Sequence, residues 1–491
     1  YFAKRMHQFD NDELMEMYLT SIASSYDPHT TFMSKTTLEN FDIVFKLKLQ
    51  GIGAALRSAD GETIVTKIIK GGAADKQGKI KPEDRIVAVG EGKEGEMVDI
   101  VDMKLNDVVQ KIRGKAGTIV RLSVIHQGEN EINTYTITRA VIELKESEAR
   151  SVIFEKGTKA NGKPYKMGVI ELPSFYMDME AARLGIPNYK STTRDVRKLL
   201  EDLKAKGVDA VVLDLRNNGG GSLTEAIDCT GLFIDHGPIV QVKGKDDRVS
   251  VYNDRKRGVE WDGPLIVVTS KFSASASEIL AGAIQDYNRG IIVGDSATHG
   301  KGTVQSLLDL GRQMFDVRKP PKFGALKITM QQFYRPSGDS TQKRGVLADV
   351  VLPSITQHMD VGEADLDFAI DFDRVPETEF AKLDMVNDNM RSELSARSNS
   401  RVKKAMEFKD LQVDIKRYLE QKKKKTVTLN EKQFFAERAK IDANKEEEKK
   451  FEEQENNDDE IVKRDFYFEE VLAVAADYVK ALDGHKVAAG R

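Results

Sequence analysis

The spacing of hydrophobic positions changes several times along the chain, and each change predicts a different element. Between residues 10 and 25, Leu14, Met17, Tyr18 and Ile22 recur at helical spacing, and Asp10 or Asn11 is placed to cap an amphipathic helix. Tyr26–Thr31 reads as a turn. From about 43 to 138 the pattern is that of strands. Ile43–Leu49 alternates, Gly51–Ala54 interrupts it, and Thr63–Ile69 and Asp84–Gly90 are further strands separated by a turn region at Gly71–Gly78. Leu105–Ile112 is expected to be a short helix ending at Gly114. Val120–Ile125 is expected to be a last strand, with Asn133–Arg139 as its hairpin partner.

From about 165 to 355 the periods alternate. Met167–Leu172, Ala210–Leu215, Leu265–Thr269 and Ile291–Gly294 read as strands, and Asp195–Lys206, Leu223–Phe233 and Ala276–Asp286 as helices. Apolar runs without alternation predict a largely parallel sheet covered on both faces, hence an α/β core. After Pro353 the character changes again. Residues 361–491 are charged and expected to be helical, with runs at Lys422–Lys425, Glu446–Glu448 and 458–460. Phe466, Phe468, Val471, Leu472, Ala475 and Tyr478 form an apolar stripe that should pack this region against something.

Composition narrows the reading. At 491 residues the chain is too long for one ordinary core, and about three domains is the prior. A net charge of -4 gives no global field toward nucleic acid or a membrane. The tetralysine sits in an acidic stretch without interleaved aromatics, which favours a solvated helix face over a nucleic-acid contact. The single cysteine, Cys229, excludes an internal disulfide and a cysteine-based zinc site, and reads as a small buried apolar residue. No apolar run reaches 18 residues, so no transmembrane helix is expected. The chain starts at Tyr1 rather than Met, so it reads as a fragment or processed form whose address is not in the sequence.

Three stretches carry candidate chemistry. Gly219–Gly221 follows a buried strand and precedes a helix, as either a tight turn or an anion cradle of outward N–H groups. It matches neither a P-loop nor a dinucleotide fingerprint. Ser275–Glu278 fits a capping box, so Ser275 is either a helix cap or a nucleophile beside the free N–H groups of a helix start. None of the seven histidines has metal-ligand spacing, which disfavours a zinc hydrolase and leaves Lys301, flanked by two glycines, as a candidate base. To work near neutral pH its pKa has to fall from about 10.4 to near 7, a destabilisation of the ammonium of about 4 kcal/mol. Burial supplies this only without a carboxylate partner. Gln305, four positions on and on the same side of a strand, is a neutral group able to orient the amine. An exposed loop lysine is the alternative for Lys301.

Together these stretches resemble the C-terminal processing, or tail-specific, serine proteases, most closely the long periplasmic Prc/Tsp type. The matching segments are Asp27–Thr30, Gln50–Ala54, Asp214–Gly221, Phe272–Ile279, Gly300–Gln305, Phe333–Gly338 and Ser340–Gln342. The resemblance implies a crotonase/ClpP-like α/β protease core with an inserted PDZ domain and a C-terminal helical domain. It divides the chain into an N-terminal helical remnant of a larger domain (1–40), a PDZ domain (41–140), a Ser-Lys core (141–360) and a charged helical domain (361–491).

By the same resemblance, Ser275 is the nucleophile, Lys301 the base and Gln305 its orienting partner. Gly221 and Ala276 supply oxyanion N–H groups, and Gly51, Ile52 and Gly53 hold a substrate's terminal carboxylate by strand addition. No cofactor or metal is implied. The partners are proteins with exposed C-terminal tails, with an adaptor protein allowed; no nucleic acid and no stable membrane insertion are expected. The location is periplasmic, with inner-membrane association allowed.

The chain departs from the family where His299 replaces the usual aromatic residue, in a loop, Asp295–His299, that is one residue longer. His299, on the same strand face as Lys301, is thus a rival base and a second charge that would depress the lysine pKa. Set against the family, the chain is also expected to lack the upstream N-terminal domain. Two other functions stay open: a PDZ scaffold with an inactive core, and an acyl-transfer enzyme on a crotonase-like core.

Overall fold

A computed structural model describes residues 9–315, 317, 321–424, 426, 428–435 and 460–489, with side chains to residue 483. The run Ala210–Asp214 is a central strand buried on both faces. Val211 and Leu213 enter one apolar core, and Ala210 and Val212 enter the other. The same division holds for Leu265–Thr269 and Ile291–Gly294, where odd and even residues sort to opposite sides. This is why these strands lack a polar alternation.

The sheet runs in the order Arg150–Lys156, Tyr165–Glu171, Ala210–Asp214, Leu265–Thr269, Ile291–Gly294 and Val350–Val351. It is parallel except for its first pair. Helices Thr192–Ala205, Leu223–Thr230 and Ala276–Asp286 contribute to one core. The C-terminal helix Phe466–Ala489 covers the other face through Phe468, Val471, Leu472, Ala475 and Tyr478, all 0% exposed. Most of the apolar stripe expected from the sequence is therefore buried on the sheet, with Phe468, Val471 and Leu472 each contributing roughly 1.5–3 kcal/mol. Cys229 is fully buried.

An antiparallel sheet stands beside this one. Its path is Thr31–Met33, Ala325–Tyr334, Gly237–Lys243 and Val249–Asp254, and Thr303–Asp309 also pairs with the long strand Ala325–Tyr334. A third, six-stranded sheet comprises Ala54–Ala59, Glu62–Ile68, Arg85–Glu91, Ile119–Ile125 and Ile132–Thr138, with Met97–Asp99 on Arg85–Glu91. Together with the helix Leu105–Ile112 it encloses its own core. The chain enters and leaves this body through the paired strands Lys48–Gly51 and Ala140–Glu143.

Several expectations are corrected. Ile43–Lys46 is not strand but the end of a helix, Lys35–Lys46, capped by Ser34 and closed by Leu47 at φ 51°. Cap and terminus override a short stretch of alternation. Helix Asn11–Ser24 forms with a full Asp10–Glu13 capping box, yet Leu14, Met17, Tyr18 and Ile22 stay exposed. Helix Leu105–Ile112 ends on Arg113 in extended conformation, and Gly114 serves to admit the Arg139 guanidinium, 2.9 Å from where a Cβ would lie.

Residues 361–387 are mostly not helical. They cross the core in extended form, held by Val375 N–H to Gly338 C=O, Leu383 N–H to Tyr287 C=O and Val386 N–H to Asn288 C=O. Helices follow at Asp388–Lys404 and Met406–Lys423. Lys422 of the tetralysine pairs with Asp360 at 2.6 Å. Glu446–Glu448 and most of the acidic run at 458–460 lie outside the described residues.

Candidate active site

Ser275 sits between a buried loop and the helix Ala276–Asp286, at φ 55° and ψ -109°. A non-glycine residue there costs of order 1–3 kcal/mol, and the surrounding bonds hold it. Ser273 Oγ donates to Leu215 C=O at 2.7 Å, and Ser277 Oγ donates to Asn218 C=O at 2.8 Å. Both of these serines are fully buried. Ser275 Oγ makes no capping bond, so only half of the expected capping box forms: the Glu278 carboxylate accepts Ser275 N–H at 2.7 Å. Of the three serines in this turn, the middle one has no hydroxyl partner among the described residues. A sharp, strained turn into a helix is the arrangement that projects a nucleophile.

The glycine turn lies against this serine. A Cβ on Gly220 would stand 2.9 Å from Ser275 Cβ and 3.2 Å from Ala276 N. Asn218 locks the two turns together: its carbonyl accepts Ala274 N–H and Ser277 Oγ, its amide donates to Leu172 C=O, and its side-chain oxygen accepts Gly220 N–H. Gly221, at φ 148°, is pressed onto Phe175, whose N–H donates to Gly220 C=O and whose carbonyl accepts Ser222 N–H. Among the described residues, neither Gly221 N–H nor Ala276 N–H has an acceptor. An open N–H thus lies on each of the two turns that meet at Ser275, the electrostatics that a developing oxyanion needs.

Lys301 lies in a part-buried loop. Its N–H donates to Glu278 at 2.9 Å, its carbonyl accepts Thr341 Oγ1 at 3.0 Å, and no ion pair to its amine is found among the described residues. Burial first, and then the Lys327 ammonium, push the amine down to about 8, against the pull of Glu363, Glu278 and Asp27. The like charge that depresses it comes from Lys327, on the neighbouring strand, and not from His299. Within the structure Lys301 Nζ bonds to neither Ser275 Oγ nor Gln305, so the pair is adjacent in chemistry but not yet joined.

His299 does not share a strand face with Lys301, because the strand begins only at Thr303 and Gly300 turns the backbone at φ 95°. The imidazole faces Glu363, with Nδ1 3.8 Å from Oε2. A bulge between Val304 and Gln305 also breaks the simple alternation assumed for Gln305. The Gln305 amide donates to Thr303 Oγ1 at 2.9 Å and Thr329 Oγ1 at 3.1 Å, leaving its carbonyl oxygen as the group available to an amine.

Residues whose contacts only the fold reveals complete the surroundings. Glu278, fully buried and pushed up to about 7 by its burial, accepts Ser275 N–H, Thr298 Oγ1, Gly300 N–H and Lys301 N–H. Asp27 accepts Thr30 and Thr329, and so supports Gln305 from behind. Asp27–Thr30 carried part of the resemblance, but only the fold assigns it this contact. Ile52 and Gly53 stand apart, at the start of the third sheet's body, and Gly51 ends the strand Lys48–Gly51 that leads into it. Ile52 and Gly53 N–H groups have no acceptor among the described residues, beside strand Ala54–Ala59, which forms a sheet edge.

Family models match four stretches of the chain: the tail-specific protease N-terminal domain at 2–36, a PDZ domain at 42–125, peptidase family S41 at 166–352, and the C-terminal domain of tail-specific protease at 356–480. The chain is 35% identical over 488 residues to the tail-specific protease of Haemophilus influenzae, covering 97% of this chain and 67% of that one. It is 29% identical to the carboxy-terminal processing protease CtpA of Bacillus subtilis, covering 70% of this chain and 64% of that one. A solved PDZ domain of a carboxy-terminal protease from Vibrio cholerae, in complex with peptide, is 38% identical over 20% of this chain and all of its own, at a TM-score of 0.19. No described helix is long and apolar enough to cross a membrane. With a free serine on a strained turn, two open N–H donors and these matches from end to end, the chain belongs to peptidase family S41, as a serine-type, tail-specific C-terminal processing protease with a PDZ domain.

Proposed function

We propose that Ser275 is the nucleophile and Lys301 the general base of an endopeptidase acting on proteins whose C-terminal tails are exposed. The observation that carries this reading is the junction of the Ser275 turn with the glycine turn, where Gly220 packs on Ser275 and, among the described residues, the N–H groups of Gly221 and Ala276 have no acceptor. Ser275 Oγ attacks a peptide carbonyl carbon while its proton passes to neutral Lys301 Nζ. Gly221 and Ala276 N–H hold the oxyanion. Collapse breaks the C–N bond, and the lysine ammonium protonates the leaving amine. Water then attacks the acyl-enzyme as neutral Lys301 Nζ takes its proton, and the lysine ammonium returns that proton to Ser275 Oγ as the ester C–O bond breaks, freeing a carboxylate and the serine.

Movement of the Lys301 amine onto Ser275 Oγ and the Gln305 carbonyl completes the site. Ile52 and Gly53 N–H groups hold the substrate's terminal carboxylate, with the tail added to the open edge of Ala54–Ala59. The location of such a protein is the periplasm, and an adaptor protein is a fitting partner.

The test uses one substrate protein with a free and with an amidated C-terminus, against Ser275→Ala, Lys301→Ala and His299→Phe. Cleavage that needs the free terminus and is lost in the first two variants is expected. Full turnover by Lys301→Ala, with loss in His299→Phe, would overturn the lysine assignment.

A further inference from the structure

We propose that Glu363, acting with Gln342, is a positioning residue for Lys301, so that the chain segment after the core completes the catalytic loop. This rests on the reading of Lys301 as general base. Glu363 begins a single 3-10 turn, Glu363–Asp365, and is 0% exposed. It grips the backbone on both sides of the lysine. On one side its own N–H donates to His299 C=O at 2.9 Å. On the other, its Oε1 accepts Gln342 Nε2 at 2.9 Å, and Gln342 Oε1 in turn accepts Gly302 N–H at 2.8 Å. Gln342 is fully buried, and its Nε2 also donates to Ile370 C=O at 2.9 Å. Three parts of the chain meet here, because Glu363 Oε2 bonds His29 Nε2 at 2.8 Å.

The chemistry calls for a carboxylate. Groups that can donate face Glu363 from three sides: His29 from the N-terminal turn, Gln342 from the core, and His299, whose Nδ1 is buried and without a hydrogen-bond partner 3.8 Å away. Gln342 Nε2 requires an acceptor at Oε1, His29 Nε2 requires one at Oε2 in the tautomer that protonates it, and a carboxylate, costly in a buried site unless so bonded, supplies both. A glutamine that turns its NH2 toward Gln342 releases it, and with it the hold on Gly302; one that turns its NH2 toward His29 opposes that protonated nitrogen.

The acid also acts on the lysine at a distance. The charged groups facing Lys301 are Lys327, which disfavours its ammonium, and Glu363, Glu278 and Asp27, which favour it. A tie that serves only stability would leave the pH dependence of turnover where it is, whereas removal of the Glu363 charge moves it.

Glu363→Gln and Gln342→Ala are to be compared with wild type and Lys301→Ala in the full chain, on a tail-bearing protein substrate across pH 6–10, with thermal melts and tail-peptide binding as controls. In Glu363→Gln, kcat is expected to fall by roughly tenfold to a hundredfold, the scale of a misplaced catalytic group, with KM and tail-peptide binding unchanged. The acid limb of its pH profile moves to lower pH. In Gln342→Ala, which keeps the charge, the plateau falls and the limb stays. If Glu363→Gln does not fold, Gln342→Ala decides alone. Wild-type kcat and pH profile in the folded variants, with Lys301→Ala inactive, would overturn this inference and leave the catalytic reading standing. Wild-type turnover by Lys301→Ala would remove the reading itself.

Discussion

Ser275 and Lys301 hang from one oxygen: Glu278 Oε2 accepts the backbone N–H of the first at 2.7 Å and of the second at 2.9 Å. The two residues are thereby set relative to one another by their backbones, before either side chain moves. The other oxygen, Oε1, accepts Thr298 Oγ1 at 2.5 Å and Gly300 N–H at 2.6 Å.

Removing this carboxylate strands four buried or part-buried donors. Glu278→Ala is expected to lose about 3 kcal/mol or more of stability, since each unsatisfied buried donor costs roughly 1–3 kcal/mol. Turnover should vanish with it. Urea unfolding together with a cleavage assay is the check, and wild-type values in both would contradict the role given to Glu278.

The three serines of the turn should separate cleanly. Ser275→Ala removes turnover without loss of stability, because its hydroxyl holds no partner among the described residues. Ser273→Ala and Ser277→Ala each cost about 1 kcal/mol, from the lost bonds to Leu215 and Asn218. They retain cleavage at reduced rate. A serine-reactive fluorophosphonate probe should label the wild type and fail on Ser275→Ala alone.

The pH dependence follows from Lys301, whose amine is held near 8. Only its neutral form takes a proton, so kcat/KM should rise with pH through about 8 and then level. Stability carries the opposite burden. The unfolded lysine titrates near 10.5, so below pH 8 both states carry the ammonium, but only the folded protein holds it out of water, at a cost to stability. Lys301→Met should therefore be the more stable protein at pH 7, by about 3 kcal/mol. The difference should shrink as pH climbs from 8 to 10.5. Melting curves at pH 7 and pH 10 test the sign, and a less stable Lys301→Met at pH 7 would contradict it.

Two glycines report on the two halves of the function. A Cβ at Gly221 would come within 2.3 Å of Phe175 C=O, on a backbone at φ 148°. Gly221→Ala should displace that N–H and lower kcat by about 10²–10³, the loss seen when one oxyanion donor is removed. Gly53, at φ 79°, has no room either: a Cβ would lie 3.1 Å from Gly72 Cα and 3.2 Å from Ile142 Cδ1. Gly53→Val should weaken tail-peptide binding by at least about tenfold, which is about 1.4 kcal/mol, and leave cleavage of a short tailless peptide unchanged. Calorimetric titration of a tail peptide reads the second effect, and equal affinity in Gly53→Val would exclude the loop as the tail site.

Local pattern determined a great deal here. Apolar runs at Ala210–Leu215, Leu265–Thr269 and Ile291–Gly294 reported their own burial on two faces. The stripe beginning at Phe466 announced a helix that needs a surface, because a long-range partner is implied by any apolar face too large to leave in water. The motifs singled out Ser275, Lys301 and the glycine turn as parts of one site. They did not say what holds the hydroxyls of Ser273 and Ser277, since that depends on the carbonyls of Leu215 and Asn218, distant in sequence. Nor could they orient His299. Alternation places it beside Lys301, but a glycine turn and Glu363 draw it elsewhere. Lys327, Glu278 and Asp27 set the field at Lys301, yet they lie on three different elements, and charge at a point is a sum over space rather than along a chain. The sequence by itself determined the elements and the chemical groups, because propensity and period act over a few residues. Only the tertiary structure decided which groups are free, which are held and how each is charged.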